Sequence, residues 1–356
     1  MIKRRIAFLY TEIAGYFLKC IEVLVKEYDV EVLVIRWPLN AEAPFEIESL
    51  PNVTMLERQA LSNSDLVKKL REFRPHCLFC SGWADKGYLK AVYFFSRDIP
   101  TIIGLDNPWQ GSVKQYLMSW LSGRLIKTLF SHIWIPGEPQ EKFAEALGFK
   151  KPSIIDGFYS ADTDYFGDIY RRFRLDKENN FPKRFIYCGR YVKWKGIFEL
   201  WEAFIQLQKE TPNDWELWCL GTGAEFENKT EYPGIKHFGF VQPNQLNSYI
   251  GKTGVYILPS HFEPWAVSVH EFAAAGLPLL LSDSVGAAEM FLRENINGAS
   301  FKPGDPEAIK NAMKNIIQLS DEELNTMGRK SHELAGLITP YIWSSKLMEV
   351  SYQCQQ

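Results

Sequence analysis

The sequence lacks any apolar run near the ~20 residues that a helix needs to cross a bilayer. The apolar run behind the basic N-terminus, Ile6–Tyr10, is also too short for a signal peptide and ends at Thr11. The net charge is only -3 and the isoelectric point about 6.1, so the chain as a whole has no excess of positive charge for nucleic-acid binding. We therefore expect a cytoplasmic protein that binds no nucleic acid, with any membrane contact peripheral and at the inner face.

Signals for metal sites and disulfides are also missing. Six cysteines are scattered along the chain: Cys20, Cys77, Cys80, Cys188, Cys219 and Cys354. Cys77 and Cys80 form the one close pair, within an apolar run typical of a buried strand, and no second pair completes a zinc site. The histidines lack metal spacing, and Asp162-Thr163-Asp164 offers too few carboxylates for a dedicated metal cage. We expect free core thiols in a reducing compartment, and no bound metal.

What is present is the composition of an ordinary globular protein, with 46% hydrophobic and 23% charged residues among 356. That length suggests two domains, because single cores stop growing beyond about 250–300 residues. Short apolar runs alternate with helical periods in both halves, which predicts α/β domains whose parallel sheets are covered by helices on both faces. The predicted strands are Ile6–Tyr10, Val30–Ile35, Cys77–Cys80, Thr101–Leu105, His132–Ile135, Phe185–Cys188, Glu216–Leu220, Lys236–Phe238, Val255–Leu258 and Leu279–Ser282.

The two halves join at residues 157–181, a charged and Asn-rich stretch that we interpret as a surface linker. The predicted domains are residues 1–160 and 161–338, two doubly wound, Rossmann-like halves that face each other across a cleft, a common place for a ligand. Residues 339–356 form a third segment, in which Pro340–Tyr352 is predicted to be helical.

The segment Pro259–Glu271 places two glutamates eight positions apart. Glu263 follows a predicted strand, and Glu271 is expected about two turns into the following helix, roughly 12 Å further along. Open α/β sheets bind ligands outside the carboxyl ends of their strands. Two carboxylates at that separation could hold opposite ends of an extended, hydroxyl-rich molecule. The alternative is an amphipathic helix with a solvated glutamate.

A second segment brings cations to a strand-to-helix turn. Gly189-Arg190 ends one predicted strand, and Lys193–Gly196 opens the next helix. A helix N-terminus offers free N–H groups and a positive dipole end. Arg190 can add bidentate contacts and Lys195 a point charge, which together suit a diphosphate. The alternative is a solvated turn.

These two segments resemble the signatures of family 4 glycosyltransferases, which are retaining enzymes of the GT-B fold. The matching positions in the second signature are Pro259, Ser260, Glu263, Pro264, Glu271, Ala273, Gly276 and Pro278. The resemblance implies that Arg190 and Lys195 bind the donor's diphosphate in place of a metal. It also implies that Glu263 holds the hydroxyls of the donor sugar and that Glu271 binds the ribose. N–H groups at Ala266, Val267 and Ser268 would assist, and no cofactor or metal is expected.

Other segments follow the family less closely. Trp265-Ala266 stands where the family usually has Phe-Gly, and only Gly15 is left of the glycine pair that approaches the donor phosphates. Asp106 occupies a position where many members have histidine, near the donor sugar; it could instead cap a turn. The resemblance places the backbone near Val241 against the nucleotide base, although this loop could be purely structural.

Residues 113–129 read as a helix in which Lys114, Arg124 and Lys127 lie among leucine and tryptophan. Such a helix could lie on an anionic membrane, as it does in family members that act on lipid-linked acceptors, or it could be a crossover helix packed on the first sheet.

The resemblance therefore implies a retaining, metal-independent hexosyltransferase that moves a sugar from a UDP- or GDP-linked donor to a glycan, a lipid-linked molecule or another acceptor, as in bacterial polysaccharide biosynthesis. Residues 1–160 would be the acceptor-side domain and residues 161–338 the nucleotide-sugar-binding domain. Residues 339–356 would carry the helix that crosses back to the first domain. A GT-B-fold sugar-nucleotide epimerase and a catalytically silent sugar-nucleotide-binding protein are the alternatives.

Overall fold

The computed structural model describes residues 3–38 and 49–353 and divides the chain into two compact α/β units. Unit 1 comprises Met1–Ser160 and Ile338–Gln356, and unit 2 comprises Ala161–Leu337. That the two units face each other across a cleft stays a prediction, as do the roles assigned to the two domains.

Unit 1 is built on a seven-stranded parallel sheet. Its strands are β1 (Arg4–Tyr10), β2 (Val30–Arg36), β3 (Val53–Glu57), β4 (Cys77–Cys80), β5 (Thr101–Gly104), β6 (His132–Trp134) and β7 (Ile154–Ile155), in the order β3-β2-β1-β4-β5-β6-β7. Its first five helices are α1 (Gly15–Tyr28), α2 (Asn63–Phe73), α3 (Lys86–Tyr93), α4 (Val113–Leu129) and α5 (Glu138–Ala146). β4 and β5 are buried along their whole length because helices cover both faces of the sheet.

Unit 2 repeats this architecture with six parallel strands. They are β8 (Arg184–Cys188), β9 (Glu216–Leu220), β10 (Ile235–His237), β11 (Val255–Leu258), β12 (Leu279–Ser282) and β13 (Gly298–Phe301), in the order β10-β9-β8-β11-β12-β13. Its helices are α6 (Thr163–Asn179), α7 (Ile197–Glu210), α8 (Asn247–Ile250), α9 (Val267–Ala274), α10 (Ala288–Phe291), α11 (Pro306–Ile317) and α12 (Asp321–Ala335). The reversal of strand order between β8 and β11 brings their carboxyl ends together at a topological switch point.

The prediction of a surface linker at residues 157–181 is wrong, because most of this segment forms helix α6. Asp162 starts this helix by accepting a hydrogen bond from the Tyr165 N–H at 3.0 Å. The helix buries Phe166 and Ile169 on one face and packs against α9 and α12. Its charged residues, apart from the buried Lys177, are exposed, and this charge made the segment look like a loop. Asp162 is thus a helix cap.

The chain returns to unit 1 through α13 (Pro340–Tyr352), which packs against α1. Trp343 anchors this helix: its ring stacks on Trp134 with centroids 4.9 Å apart, and its Nε1 donates to the Phe158 carbonyl at 2.9 Å. Both tryptophans are fully buried, so burial of their large apolar area fixes the terminal helix on the first sheet.

His270 fixes both ends of unit 2 to helix α9. Its Nδ1 accepts a hydrogen bond from the Ala161 N–H at 3.0 Å, and its Nε2 donates to the Ala335 carbonyl at 2.9 Å. Burial lowers the pKa of His270 to about 4, so the neutral ring is the stable form.

The thiols in the described part of the chain form no disulfide, as predicted. Cys20, Cys77, Cys80 and Cys219 are buried, and Cys188 is half-buried. Cys354 lies outside the described residues. Among residues 3–38 and 49–353, no helix is both long and apolar enough to cross a membrane.

Candidate functional site

The turn that carries Lys195 is docked against the end of β11. Gly196 has a φ of +69°, and a Cβ placed on it would lie 2.1 Å from the Pro259 carbonyl oxygen. The backbone N–H of His261 also donates to the Trp194 carbonyl at 2.8 Å. A side chain at position 196 would separate the two backbones, so glycine is required there for both reasons.

This close approach brings Lys195 and Glu263 together. The Lys195 Nζ forms an ion pair with Glu263 Oε2, and the two side chains are only 16% and 14% exposed. Two backbone hydrogen bonds fix the position of Glu263. Its N–H donates to the Ser284 carbonyl, and its own carbonyl accepts from the Gly286 N–H. Two residues that are 68 positions apart in the chain thus present a cation and a carboxylate at one edge of the sheet.

Helix α9 begins four residues after Glu263, at Val267. No side chain of the described residues caps its first turn, so the N–H groups that a cap would normally take are left at the helix start. Ala266, the residue before the helix, has a φ of +77° and a ψ of +89°, a left-handed conformation that favours glycine. An uncapped N-terminus with no acidic residue in its first turn is suited to bind an anion.

Glu271 lies within α9, as expected. The prediction that it lies about two turns into this helix is wrong. Because α9 starts at Val267, Glu271 is about one turn into the helix and Glu263 precedes it in non-helical chain. Burial, with a further contribution from the negative charge of Asp162, raises the pKa of Glu271 to about 7. Asp162 is the helix cap of α6, and its effect on Glu271 was not predicted.

Arg190 is exposed at the end of β8, with its guanidinium 5.9 Å from the centre of the Trp194 ring. The Gly221–Gly223 turn supports this loop, since a Cβ on Gly221 would lie 1.9 Å from the Gly189 carbonyl oxygen. A side chain at position 221 would push the two loops apart, so the turn requires glycine there.

The loop that contains Val241 is joined to the same turn. Gly239 has a φ of +69°, and its carbonyl accepts a hydrogen bond from the Gly221 N–H at 2.7 Å. Val241 is half-buried two residues further on, beside the exposed Phe240. The loops that follow β8, β9 and β10 therefore form one connected edge of unit 2.

Asp106 and Gly15 belong to unit 1. Asp106 follows β5 and accepts a hydrogen bond from the Tyr159 hydroxyl at 3.2 Å. Burial raises the pKa of Asp106, while the hydrogen bond from Tyr159 acts in the opposite direction. Gly15 is the first residue of α1, and a Cβ on it would meet no atom within 4 Å, so the fold does not require glycine there.

Helix α4 exposes a broad apolar surface. The exposed residues are Val113, Tyr116, Leu117, Met118, Trp120, Leu121 and Leu125, and Trp120 is 75% exposed. Ile126 and Leu129 are buried against the rest of unit 1. The helix contains three basic residues and no acidic one.

Within residues 3–38 and 49–353, no three His, Cys, Asp or Glu side chains cluster as metal ligands do. The expected absence of a metal in the reaction stays a prediction.

Comparison with solved structures gives the class of fold. The chain superimposes on Anabaena HepE, crystallised in complex with UDP and glucose, with a TM-score of 0.70 over 97% of this chain and 98% of that one. Their sequences are 16% identical, so the likeness establishes the fold alone. Two doubly wound parallel sheets with this topology define the GT-B fold, as predicted.

Sequence comparison identifies the family to which unit 2 is related. The family sequence model described as "Glycosyl transferases group 1" matches residues 171–333, which all lie within unit 2. A Bacillus subtilis protein provisionally named as the teichuronic acid biosynthesis glycosyltransferase TuaC is 30% identical over 229 residues, 63% of this chain and 57% of that protein.

Glycogen synthase of Mycobacterium tuberculosis is 24% identical over 143 residues, 38% of this chain and 34% of that enzyme. The chain thus spans about a third of the length of that relative and 57% of TuaC. The matches support a group 1 glycosyltransferase, while assignment to family 4 stays a prediction.

Proposed function

We propose that this protein is a retaining glycosyltransferase of family 4 that transfers a sugar from a UDP- or GDP-linked donor without a metal ion. The ion pair between Lys195 and Glu263, next to the uncapped start of α9, carries the proposal. A donor has a diphosphate that needs cations and N–H donors, and a sugar whose hydroxyls need an acceptor. Both kinds of group meet here outside the carboxyl end of a parallel sheet.

In the proposed reaction, Lys195 and Arg190 neutralise the negative charge that develops on the diphosphate as its bond to the sugar breaks. The N–H groups at Val267 and Ser268 add to this stabilisation. Glu263 accepts hydrogen bonds from the sugar hydroxyls, and its contact with Lys195 fixes its direction.

Glu271 accepts the ribose hydroxyls, and the backbone near Val241 packs against the base. Asp106 hydrogen-bonds a sugar hydroxyl or orients the acceptor, and Gly15 lets the chain approach the phosphates. The acceptor oxygen attacks on the face from which the diphosphate leaves, and a phosphate oxygen takes its proton, so no covalent nucleophile is required and the anomeric configuration is retained.

The names of the related proteins suggest which donor and acceptor to test first. HepE was crystallised with UDP and glucose, which favours a UDP-linked sugar. TuaC is named for teichuronic acid biosynthesis, which favours a polysaccharide or glycoconjugate as the product. The apolar, basic surface of α4 would suit a lipid-linked acceptor held at an anionic membrane.

Ligand-induced stabilisation tests the donor site. UDP, GDP and ADP are added to wild type, Arg190→Ala, Lys195→Ala and the control Lys193→Ala, which removes a neighbouring exposed cation with no proposed role. A ligand at 100 times its Kd stabilises the folded state by about 2.7 kcal/mol. One nucleotide should stabilise wild type and Lys193→Ala to the same extent. The same nucleotide should stabilise Arg190→Ala and Lys195→Ala much less. Equal stabilisation of all four proteins would place the nucleotide elsewhere.

Product analysis tests the reaction itself. Incubation with UDP-glucose and candidate acceptors should give a glycoside whose anomeric NMR coupling matches that of the donor, with a rate unchanged by EDTA. Conversion of the donor sugar to its epimer would support the epimerase alternative. Nucleotide binding without turnover of any donor would support a catalytically silent protein.

Vesicle flotation tests α4. We expect binding to vesicles with anionic lipid, weaker binding to neutral vesicles, and a loss in Trp120→Ala. Trp194→Ala removes an exposed tryptophan of unit 2 and is the control. Equal flotation of Trp120→Ala and wild type would contradict a membrane role for this helix.

A further inference from the structure

Unit 2 contains a cavity of about 440 Å³ between α6, α12 and the C-terminal end of α9. Its charged lining residues are Arg174, Lys177, Glu178, Asp321, Glu322 and Arg329. Gly276, just beyond the end of α9, also lines it, whereas the candidate donor site lies at the opposite end of that helix, at Ala266. The proposed function therefore gives this cavity no role.

Lys177 is the unusual member of this lining because it is only 8% exposed. In the described part of the chain its amine has no ion pair or hydrogen bond, although the two arginines of the cavity are paired. Arg174 contacts Glu178 at 3.4 Å, and Arg329 contacts Glu333 at 3.2 Å. A buried ammonium without a carboxylate partner is strongly disfavoured, so the amine is held in its neutral form more readily than an exposed lysine.

Burial lowers the pKa of Lys177 to about 7. At pH 7.5 such an amine is about three-quarters neutral, whereas an ordinary lysine is about 0.1% neutral. A neutral lysine in a cavity is a nucleophile, and a desolvated setting of this kind is a recognised way to activate one.

We propose that Lys177 is a site of covalent acylation by small acyl phosphates, whose phosphate group is bound by the guanidinium groups of Arg174 and Arg329 in the same cavity. The amine nitrogen attacks the acyl carbon and forms an N–C bond. The bond from that carbon to the phosphate oxygen breaks, inorganic phosphate leaves, and the amine's surplus proton passes to solvent.

The acylated side chain is more stable in this buried position than the free lysine. An amide is neutral, so acylation removes the ionisable group that burial disfavours. The cavity volume of about 440 Å³ is large enough for an acetyl group. Arg174 contacts its carboxylate through Nε and Arg329 through one Nη atom, and both side chains are half exposed, so the remaining planar N–H donors of each can turn to a phosphate.

Intact wild-type protein with acetyl phosphate gives the first test, read by peptide mass spectrometry. Exposed Lys183 and Lys209 are internal references. At pH 7.5 we expect Lys177 to acylate on the order of tenfold faster than the references, since its larger neutral fraction outweighs its weaker basicity. Its rate should level off above pH 8, while theirs continue to rise about tenfold per pH unit. An equal rate at pH 7.5, or no levelling off, would overturn the proposal.

Variants test the phosphate-binding part. Arg174→Gln and Arg329→Gln should slow acylation of Lys177 by acetyl phosphate several-fold and leave its acylation by uncharged N-acetylimidazole unchanged. Both arginines are half exposed, so the variants should fold. If both reagents slow equally, or neither does, the arginines do not bind the phosphate. Because no step requires donor turnover, failure here leaves the proposed transferase activity untouched.

Discussion

Replacing Glu271 by glutamine should stabilise the protein at alkaline pH. Burial raises the pKa of this carboxyl from 4.5 to about 7 in the folded state. A group whose folded pKa is raised contributes stability that is present below 4.5 and lost as the pH rises through 7. The difference between the two values corresponds to about 3 kcal/mol. Glutamine does not titrate, so Glu271→Gln escapes this loss.

Urea unfolding at pH 5 and pH 8.5, followed by tryptophan fluorescence, measures the effect. At pH 8.5 the variant should be more stable than wild type by up to about 3 kcal/mol, and at pH 5 by less than about 1 kcal/mol. Glu227→Gln, at an exposed position, is the control and should differ little from wild type at either pH. The same difference between Glu271→Gln and wild type at both pH values would refute the reasoning.

The same variant tests the proposed role in nucleotide binding. Ribose hydroxyls donate hydrogen bonds and so favour the ionised carboxylate. With a pKa of about 7, Glu271 is about 10% ionised at pH 6 and 90% at pH 8, so UDP should bind wild type about ninefold more tightly at pH 8. Glu271→Gln should bind more weakly and without this pH dependence in calorimetric titrations. Affinity in wild type that does not change with pH would refute the ribose contact and leave the stability argument intact.

Three other substitutions have definite expected outcomes. Ala266→Gly should raise the free energy of unfolding by about 0.5–1 kcal/mol, because it relieves a left-handed conformation; a loss in urea unfolding would contradict this. Gly196→Ala should lower it by at least about 2 kcal/mol through the clash of its Cβ with the backbone, whereas Gly15→Ala, at a helical position with open space around it, should not lower thermal stability. Neutral His270 contributes stability that is present above pH 6.5 and is lost as the pH falls towards 4, about 3 kcal/mol in all; His270→Gln should show a smaller loss between pH 7 and pH 4.5.

The central strands could be predicted from sequence because parallel strands buried on both faces are continuous apolar runs. β11 and β12 were predicted with their observed bounds. β3, β7 and β13 were missed. β3 and β13 lie at sheet edges and mix polar with apolar residues, and β7 has only two residues. Such segments derive their strand conformation from a neighbouring strand, so local pattern alone does not reveal them.

Some features of the candidate site could likewise be predicted from sequence, and others could not. Arg190, Lys195, Glu263 and Glu271 were predicted as site residues from their positions at strand ends and helix starts together with the resemblance to the family signatures, and their roles stay predictions. The hydrogen bond from Tyr159 to Asp106 joins positions 53 residues apart, and no local spacing indicates such a contact.

Helix α9 brings together several features that do not favour folding. Its preceding residue, Ala266, has a left-handed conformation, its first turn has no capping side chain among the described residues, and Glu271 has a pKa raised by burial. On the other side the helix is firmly packed, since Val269, Phe272 and Ala273 are fully buried. Unfavourable local features persist where surrounding structure enforces them, and they concentrate at functional sites. Each of these three would serve a nucleotide sugar: the strained turn by exposing N–H groups, the uncapped start by binding phosphate, and the half-buried carboxyl by accepting hydrogen bonds from hydroxyls. The energetic cost and the proposed chemistry therefore fall on the same residues, which is the strongest physical reason to test the start of α9 as the donor site.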